Sequence, residues 1–153
     1  PFLKKMFLTI GTAKVATSAE EAREMGFLQR QDGIRLNRDF LLSDARARVL
    51  GMADSGFRPP RPTHFRLPGR SGAATVDMML YDMQVNNQIS PYDRHIGQKL
   101  AHVITGGDVS AFAPVSEQHL LDLEREAFLS LCGEEKTQDR IAAMLETGKP
   151  LRN

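Results

Sequence analysis

The side chains that could do chemistry are few and widely spaced. His95 and His102 are seven residues apart and therefore share one helix face, whereas His64 and His119 lie elsewhere. A metal site needs converging ligands at closer spacing, such as a His-x-x-x-His pair or cysteine pairs, and the sequence contains neither. Cys132 is the single cysteine and is interpreted as a packed thiol. We expect no metal site.

Glu124 is a carboxylate within the apolar stripe of a predicted helix, where its burial costs free energy unless it is paired. Two interpretations stay open. In the first, which we favour, Glu124 forms a structural ion pair with Arg140 on the facing helix. In the second, Glu124 is a general acid or base with a raised pKa.

Motifs that mark the common active sites are missing from the sequence. There is no Gly-x-Gly-x-x-Gly fingerprint for a nicotinamide cofactor, no Gly-x-x-x-x-Gly-Lys-Ser/Thr phosphate loop and no Gly-x-Ser-x-Gly elbow. We therefore assign no catalytic residue and no cofactor within this chain. The chain is not expected to catalyse a reaction alone.

The composition is that of an ordinary globular protein, with 153 residues, 41% hydrophobic and 25% charged. A formal net charge of +1 gives no reason to expect a nucleic-acid or membrane partner. The lone cysteine suits a reducing compartment, so we expect a cytoplasmic location. Pro1 stands where an initiator methionine would be, and we interpret the chain as a piece of something larger.

Apolar residues at helical spacing predict an all-α fold of about six helices, without a strand. The first helix, around Phe7, is apolar around most of its circumference and should be buried, either as a core helix or against a missing part. Ser18 and Gly26 bound a short second helix, and Asn37 caps a longer one that ends at Gly56. The apolar stripe of this longer helix consists of Leu41, Leu42, Ala45, Val49, Met52 and Ala53.

A proline-rich connector divides the chain into a helical segment 1–56, the connector 57–70 and a helical portion 71–153. In the last portion, a helix from Ser71 to about Asn86 is apolar on two faces and should lie between partners. The next helix starts at Ser90, with Pro91 in its first turn, and ends at Gly106. Ser116 and Thr137 then cap the two helices of a closing hairpin.

Several short segments carry a resemblance to a known family. They are Leu123-Glu124, Ala127-Phe128, residues 139–143, Glu146, Lys149-Pro150, residues 18–22 and 26–28, and the stretches 13–15, 37–39, 58–60, 67–69 and 145–153. Together they resemble the C-terminal part of fused 3-hydroxyacyl-CoA dehydrogenase/enoyl-CoA hydratase proteins of fatty-acid β-oxidation, which belong to the crotonase superfamily. The resemblance covers nearly the whole chain.

This resemblance implies a C-terminal fragment that helps to close an acyl-CoA site and builds subunit contacts, ending in a crotonase-like helical hairpin. The full-length parent would be the enzyme, an oxidoreductase and lyase of lipid metabolism that uses NAD and a CoA thioester. Its catalytic groups would lie outside this chain. The implied partners are the rest of the parent chain or another copy in a homo-oligomer, and acyl-CoA.

The same resemblance implies two ligand-binding residues. Lys149 falls where the superfamily places a basic residue at the nucleotide end of CoA, and Met144 falls where an apolar residue flanks it. The usual Arg-Lys pair is Gly148-Lys149 here. Because a lysine near a helix C-terminus is also favoured by the helix dipole, a purely structural role for Lys149 stays open.

Two further alternatives stay open. The connector arginines Arg58, Arg61, Arg66 and Arg70 are either solvated or contact the phosphates of CoA. The chain as a whole could instead be an independent helical interaction module without catalysis, which oligomerises through Phe2, Phe7 and the helix that starts at Ser71.

Overall fold

The computed structural model describes residues 2–153, so Pro1, which we interpret as the start of a fragment, lies outside the described residues. The elements are, in chain order, α1 (Phe2–Gly11), α2 (Ala19–Met25), a 3₁₀ helix (Arg38–Phe40), α3 (Leu41–Asp54), β1 (His64–Arg66), α4 (Gly69–Val85), α5 (Pro91–Thr105), β2 (Pro114–Ser116), α6 (Glu117–Cys132) and α7 (Glu135–Thr147). The mostly helical architecture confirms the predicted fold class, with seven α-helices within this range.

Contacts divide the chain into two units, each described by itself. The larger unit contains the segment up to Lys14 together with Pro62–Asn153, and the smaller one is Val15–Arg61. The segment of α1 belongs to the larger unit because α1 packs on α4 and α5. The boundaries of these units differ from those of the segments 1–56, 57–70 and 71–153, which were drawn from composition. The three-segment division stays a prediction.

The core of the larger unit lies where α1, α4 and α5 meet. Phe7, Val76, Leu80 and Ala101 are buried there, each at most 4% exposed. Burial of a large apolar side chain stabilises a fold by about 1.5–3 kcal/mol. Gly97 of α5 allows the close approach of α4, because a Cβ at that position would lie 2.8 Å from Leu80 Cδ2.

Two helices bury less than the sequence suggests. In α1 Phe7 is buried, but Phe2, Leu8 and Ile10 are exposed, so a fully buried core helix is wrong, whereas packing of the outer side against a missing part stays a prediction. The prediction that α4 lies between partners is confirmed on one face, and a partner on the other face stays a prediction. Its inner face is covered by α1 and α5, whereas its opposite face stays open, where the exposed side chains are Met78, Tyr81 and Val85.

A two-stranded antiparallel sheet, which we did not predict, joins two loops of the larger unit. In the register of β1 and β2, His64 pairs with Ser116, Phe65 with Val115 and Arg66 with Pro114. Val115 is buried at 5% exposure. The expectation of no strand failed because each strand has only three residues and its partner lies about 50 positions away, and because Pro114 argued against a strand.

In the smaller unit the helix signals are confirmed but the expected burial is not. The Ser18 side chain accepts a hydrogen bond from the Glu21 N–H, and Gly26 ends α2 in the left-handed conformation. Asn37 caps the 3₁₀ helix that leads into α3, and Gly56, just after α3, has a positive φ. The apolar stripe of α3 faces outward, since no residue of this helix is buried.

The helices of the C-terminal half begin and end close to the predicted positions. Ser90 and Asp93 form a capping box at the start of α5, and Gly106 ends it. Ser116 caps α6, and α6 and α7 form the predicted hairpin. Thr137 was predicted to cap α7, but it does not. The helix already begins after Glu134, so Thr137 lies within it.

Candidate functional site

The N-terminus of α5 and the middle of α7 meet in a polar cluster, which we call the Arg140 cluster: Ser90, Asp93, Arg140 and Asn153. Asp93 Oδ1 accepts a hydrogen bond of 2.7 Å from Arg140 Nη1, and Asp93 Oδ2 accepts one of 2.9 Å from the Ser90 backbone N–H. One carboxylate therefore completes the capping box and pairs with α7. Both charged side chains are mostly buried, at 19% and 23% exposure.

The chain after α7 is attached to the same cluster. Arg140 Nε donates to Asn153 Oδ1 at 2.8 Å, and the Ser90 hydroxyl donates to the Asn153 carbonyl at 3.1 Å. The Asn153 amide in turn donates to the Lys136 carbonyl at 3.2 Å. The segment 148–153, which carries Lys149, is thus held at its far end, and Gly148 begins it with a φ of 67°.

Burial of Asp93 alone would raise the pKa of its carboxyl group. The hydrogen bond from the Ser90 backbone and the Arg140 guanidinium outweigh this effect, so the pKa of Asp93 lies below its ordinary value. Asp93 is therefore a carboxylate at neutral pH. An ionised acceptor of this kind fixes the positions of its hydrogen-bond partners.

Tyr92 lies beside this cluster with cations near its ring. The Arg140 Cζ and Lys136 Nζ atoms are 5.0 and 5.5 Å from the ring centroid. The Tyr92 hydroxyl is 2.7 Å from Thr137 Oγ1, so the residue that we expected to cap α7 links it to α5 instead. His95 stacks on the same ring at 5.7 Å between centroids.

His95 also contacts the start of α7. Its Nε2 atom lies 2.9 Å from Glu134 Oε1, in an arrangement where the ring N–H donates to the carboxylate. This hydrogen bond lowers the pKa of Glu134 below its ordinary value, against the opposing effect of desolvation. Because His95 and Glu134 are each more than a third exposed, we interpret the pair as a surface link between α5 and α7.

An apolar groove of about 410 Å³ opens beside the Arg140 cluster, and we call it the C-terminal groove. It is lined by Ile96, Phe128, Leu131, Cys132, Thr137, Arg140, Ile141, Met144 and Leu145. Phe128 and Leu145 are exposed at 63% and 82%. The groove therefore offers an accessible apolar surface, whereas the Arg140 guanidinium at its border is already paired with Asp93 and Asn153.

The two predicted ligand-binding residues occupy different positions with respect to this groove. Met144 lines it from the last turn of α7. Lys149 is not part of the lining and lies exposed two residues beyond Thr147, whose hydroxyl accepts its backbone N–H at 3.1 Å. Met144 therefore lies at the groove and Lys149 outside its lining, and a ligand-binding role for the two residues stays a prediction.

The favoured ion pair between Glu124 and Arg140 is wrong. Arg140 instead pairs with Asp93 on α5, and Glu124 lies exposed on α6. Periodicity placed Glu124 on an apolar stripe, but α6 buries no residue, so its carboxylate needs no partner. The Asp93–Arg140 pair was not predicted from the sequence because its two members are 47 positions apart.

The remaining candidate residues are Cys132 and the arginines of the connector. Within residues 2–153, no group of three His, Cys, Asp or Glu side chains is placed to hold a metal ion. Cys132 is half-buried at the C-terminal groove. All four connector arginines are exposed, and Arg66 also donates a hydrogen bond to the Phe112 carbonyl at 3.2 Å.

No helix in the described part of the chain has both the length and the apolar character that are needed to cross a membrane.

Comparison with known proteins gave one relevant match. The chain is 47% identical over 149 residues to a protein of Bacillus subtilis (strain 168) named "Probable 3-hydroxyacyl-CoA dehydrogenase". No protein-family model and no solved structure matched it. The match covers 97% of this chain but 19% of the relative, so the chain is similar to about one fifth of that protein.

Proposed function

We propose that this chain is the C-terminal helical portion of a multifunctional enzyme of fatty-acid β-oxidation, which joins a 3-hydroxyacyl-CoA dehydrogenase to an enoyl-CoA hydratase. The observation that carries the proposal is the 47% identity to a protein with the dehydrogenase name, which runs over 97% of this chain. The dehydrogenase assignment comes from that name. The hydratase part and the crotonase superfamily come from the resemblance of the C-terminal helices.

In this proposal the parent binds NAD and the CoA thioester, and groups outside this chain perform oxidation and hydration. The parent is assigned to the cytoplasm, where Cys132 stays a thiol. This chain would close the acyl-CoA site and contribute to subunit contacts. Such a role agrees with a set of side chains that is suited to binding, with carboxylates that are already ionised and hydrogen-bonded.

Within the site, Lys149 would bind the phosphates at the nucleotide end of CoA, and Met144 would pack against the base in the C-terminal groove. The Arg140 cluster supports this arrangement because it holds the end of the segment that carries Lys149. Lys149 is exposed and forms no ion pair within residues 2–153, so its ammonium group is available to a ligand.

The test is calorimetric titration of the purified chain with acetoacetyl-CoA and, separately, with free CoA. Both should bind, because the nucleotide end is common to the two ligands. Lys149→Ala should weaken binding of both by about tenfold, which corresponds to the loss of about 1.4 kcal/mol. Lys14→Ala, at another exposed lysine, is the matched control and should bind both ligands like the unsubstituted 153-residue chain. Equal affinities for the two variants would contradict the proposed site.

The proposed activity is tested separately in the natural protein that contains these residues. It should form NADH from NAD and a 3-hydroxyacyl-CoA, and add water to an enoyl-CoA. The isolated 153-residue chain should do neither. Hydratase activity in the isolated chain would contradict the proposed division of labour between this portion and the rest of the parent.

The second candidate function is an independent helical interaction module without catalysis. The observation that favours it is the open face of α4, where Met78 is 72% exposed and Tyr81 55% exposed. A stable oligomer that binds neither form of CoA would support this alternative. Binding of CoA that depends on Lys149 would argue against it.

A further inference from the structure

The apolar stripe of α3 is uncovered in the smaller unit. Its members are Leu41, Leu42, Ala45, Val49, Met52 and Ala53. Leu42 is 82% exposed and Val49 is 63% exposed, and α3 contains no buried residue. Three more exposed apolar side chains, Leu36, Phe40 and Phe57, lie just before and after this helix. An apolar surface of this kind marks a site of contact with another surface.

The basic residues of this unit are of a single type. Between positions 15 and 61 the sequence has eight arginines and no lysine. Protein interfaces are enriched in arginine and depleted in lysine, since the guanidinium group is weakly hydrated and binds carboxylates through two parallel hydrogen bonds. Arg38, Arg46 and Arg58 are exposed and form no ion pair within residues 2–153. The unit thus combines uncovered apolar side chains with arginines that are free to pair.

We infer that the α3 stripe docks on the remainder of the parent polypeptide, at an apolar surface bordered by carboxylates. This inference rests on the proposed function in one respect, namely that a longer parent exists. The relative that matches 97% of this chain has roughly four times as much chain outside the matched part, so a large protein surface is available to cover the stripe.

A second copy of the chain is a poorer occupant because of its charges. Within α3, Asp44 already pairs with Arg35 at 2.9 Å, and Asp54 lies at the end of the helix. Two copies of the stripe would bring Arg46 of each copy to the same interface without free carboxylates in the middle of α3 to complement them. A surface with its own acidic border complements these arginines directly.

The test is amide hydrogen exchange in the natural parent protein and in the 153-residue chain. Amides of α3 should exchange about tenfold more slowly in the parent than in the isolated chain, because docking suppresses local opening of the helix. In the parent, Val49→Glu should abolish this protection. Ala47→Glu introduces the same charge at an exposed position of α3 outside the stripe and should retain it. Amides of α5 report that the fold is intact in every sample.

Three outcomes would overturn the inference. The first is that the amides of α3 exchange at the same rate in the parent and in the isolated chain. The second is that exchange in the isolated chain slows as its concentration rises. The third is that the slow exchange in the parent is unchanged by Val49→Glu. The second outcome would identify another copy as the occupant. A parent that protects α3 but forms no NADH from a 3-hydroxyacyl-CoA would refute the proposed activity and leave the docking intact. The absence of any longer polypeptide that carries this sequence would refute both.

Discussion

At the scale of single residues, Arg140 connects three parts of the larger unit. From the middle of α7 it reaches Asp93 at the start of α5 and Asn153 in the segment after α7. Its guanidinium also lies over the Tyr92 ring. Loss of one member of a mostly buried charge pair leaves the other charge desolvated without compensation, so this side chain should matter more than a surface arginine.

We expect Arg140→Ala to lower the free energy of unfolding by about 2 kcal/mol, because Asp93 loses a charged partner and Asn153 loses its anchor. Denaturant unfolding followed by circular dichroism measures this change. The matched control is Arg125→Ala, whose pair with Asp122 is more than half exposed on both sides and should contribute less than about 0.5 kcal/mol. Equal effects of the two substitutions would show that the Arg140 cluster does not stabilise the fold.

Asp93 should make stability depend on pH. Its folded-state pKa is lowered, so its contribution is fully present above the unfolded value of about 3.9 and is lost as the pH falls through the folded pKa. We expect the Asp93→Asn variant to have a lower free energy of unfolding than the unsubstituted chain at pH 7. This difference should shrink as the pH falls below about 4. Urea unfolding of both proteins across this range measures the difference. A difference that does not change with pH would contradict this assignment.

At the scale of elements, the packing of α4 on α5 depends on side-chain volume as well as on charge. Gly97 brings α5 close to Leu80 of α4, and polar contacts border this apolar seam. There, Asp77 of α4 accepts hydrogen bonds from Gln98 and Arg94 of α5. The hydrogen bond from Gln98 and, after it, the Arg94 guanidinium lower the pKa of Asp77 despite partial burial. The two helices are therefore held together by apolar packing and by hydrogen bonds at its border.

Two glycine-to-alanine substitutions separate packing from helix propensity. Gly51 lies in exposed α3, where an added Cβ meets nothing within 4 Å, so Gly51→Ala should raise stability by up to about 1 kcal/mol. Gly97→Ala gains the same propensity, but its Cβ would lie 2.8 Å from Leu80 Cδ2, so the Leu80 side chain, which is 4% exposed, must shift within the core. We expect a net loss of about 1–2 kcal/mol in thermal or urea unfolding. A stabilising Gly97→Ala would mean that α4 and α5 are not closely packed.

At the scale of the whole molecule, uncovered apolar surface occurs in both units. In the larger unit it lies on the outer face of α4 and along the C-terminal groove, and in the smaller unit it lies on α3. Isolated monomers seldom leave several such surfaces open. A homo-oligomer, which we expect from the sequence, would cover some of them and stays a prediction.

Self-association through α4 can be tested by sedimentation. If the open face of α4 forms the contact between copies, Met78→Glu should lower the mass of the 153-residue chain at high concentration, because a charge would enter an apolar interface. Ser130→Glu, which adds the same charge at an exposed polar position of α6, should leave the mass unchanged. A monomer at every concentration would show that the oligomer prediction is wrong.

The sequence by itself determined the mostly helical class and most of the helix ends. Ser18, Ser90 and Ser116 cap their helices as predicted, and Gly26 and Gly106 end theirs in the left-handed conformation. These features can be predicted from a single sequence because a cap joins residues only about two to five positions apart, and because few residue types can form it. The chemistry of such a turn is complete within its own segment.

Only the tertiary structure decided which residues meet across the chain. Arg140 pairs with Asp93 and not with Glu124, two three-residue strands pair about 50 positions apart, and α3 contains no buried residue. Helical periodicity marks a face as apolar without indicating what covers it, and a charge offers the same attraction to every opposite charge along the chain. The choice among them depends on which segments the fold brings within contact distance, as it does α5 and α7 at Asp93 and Arg140.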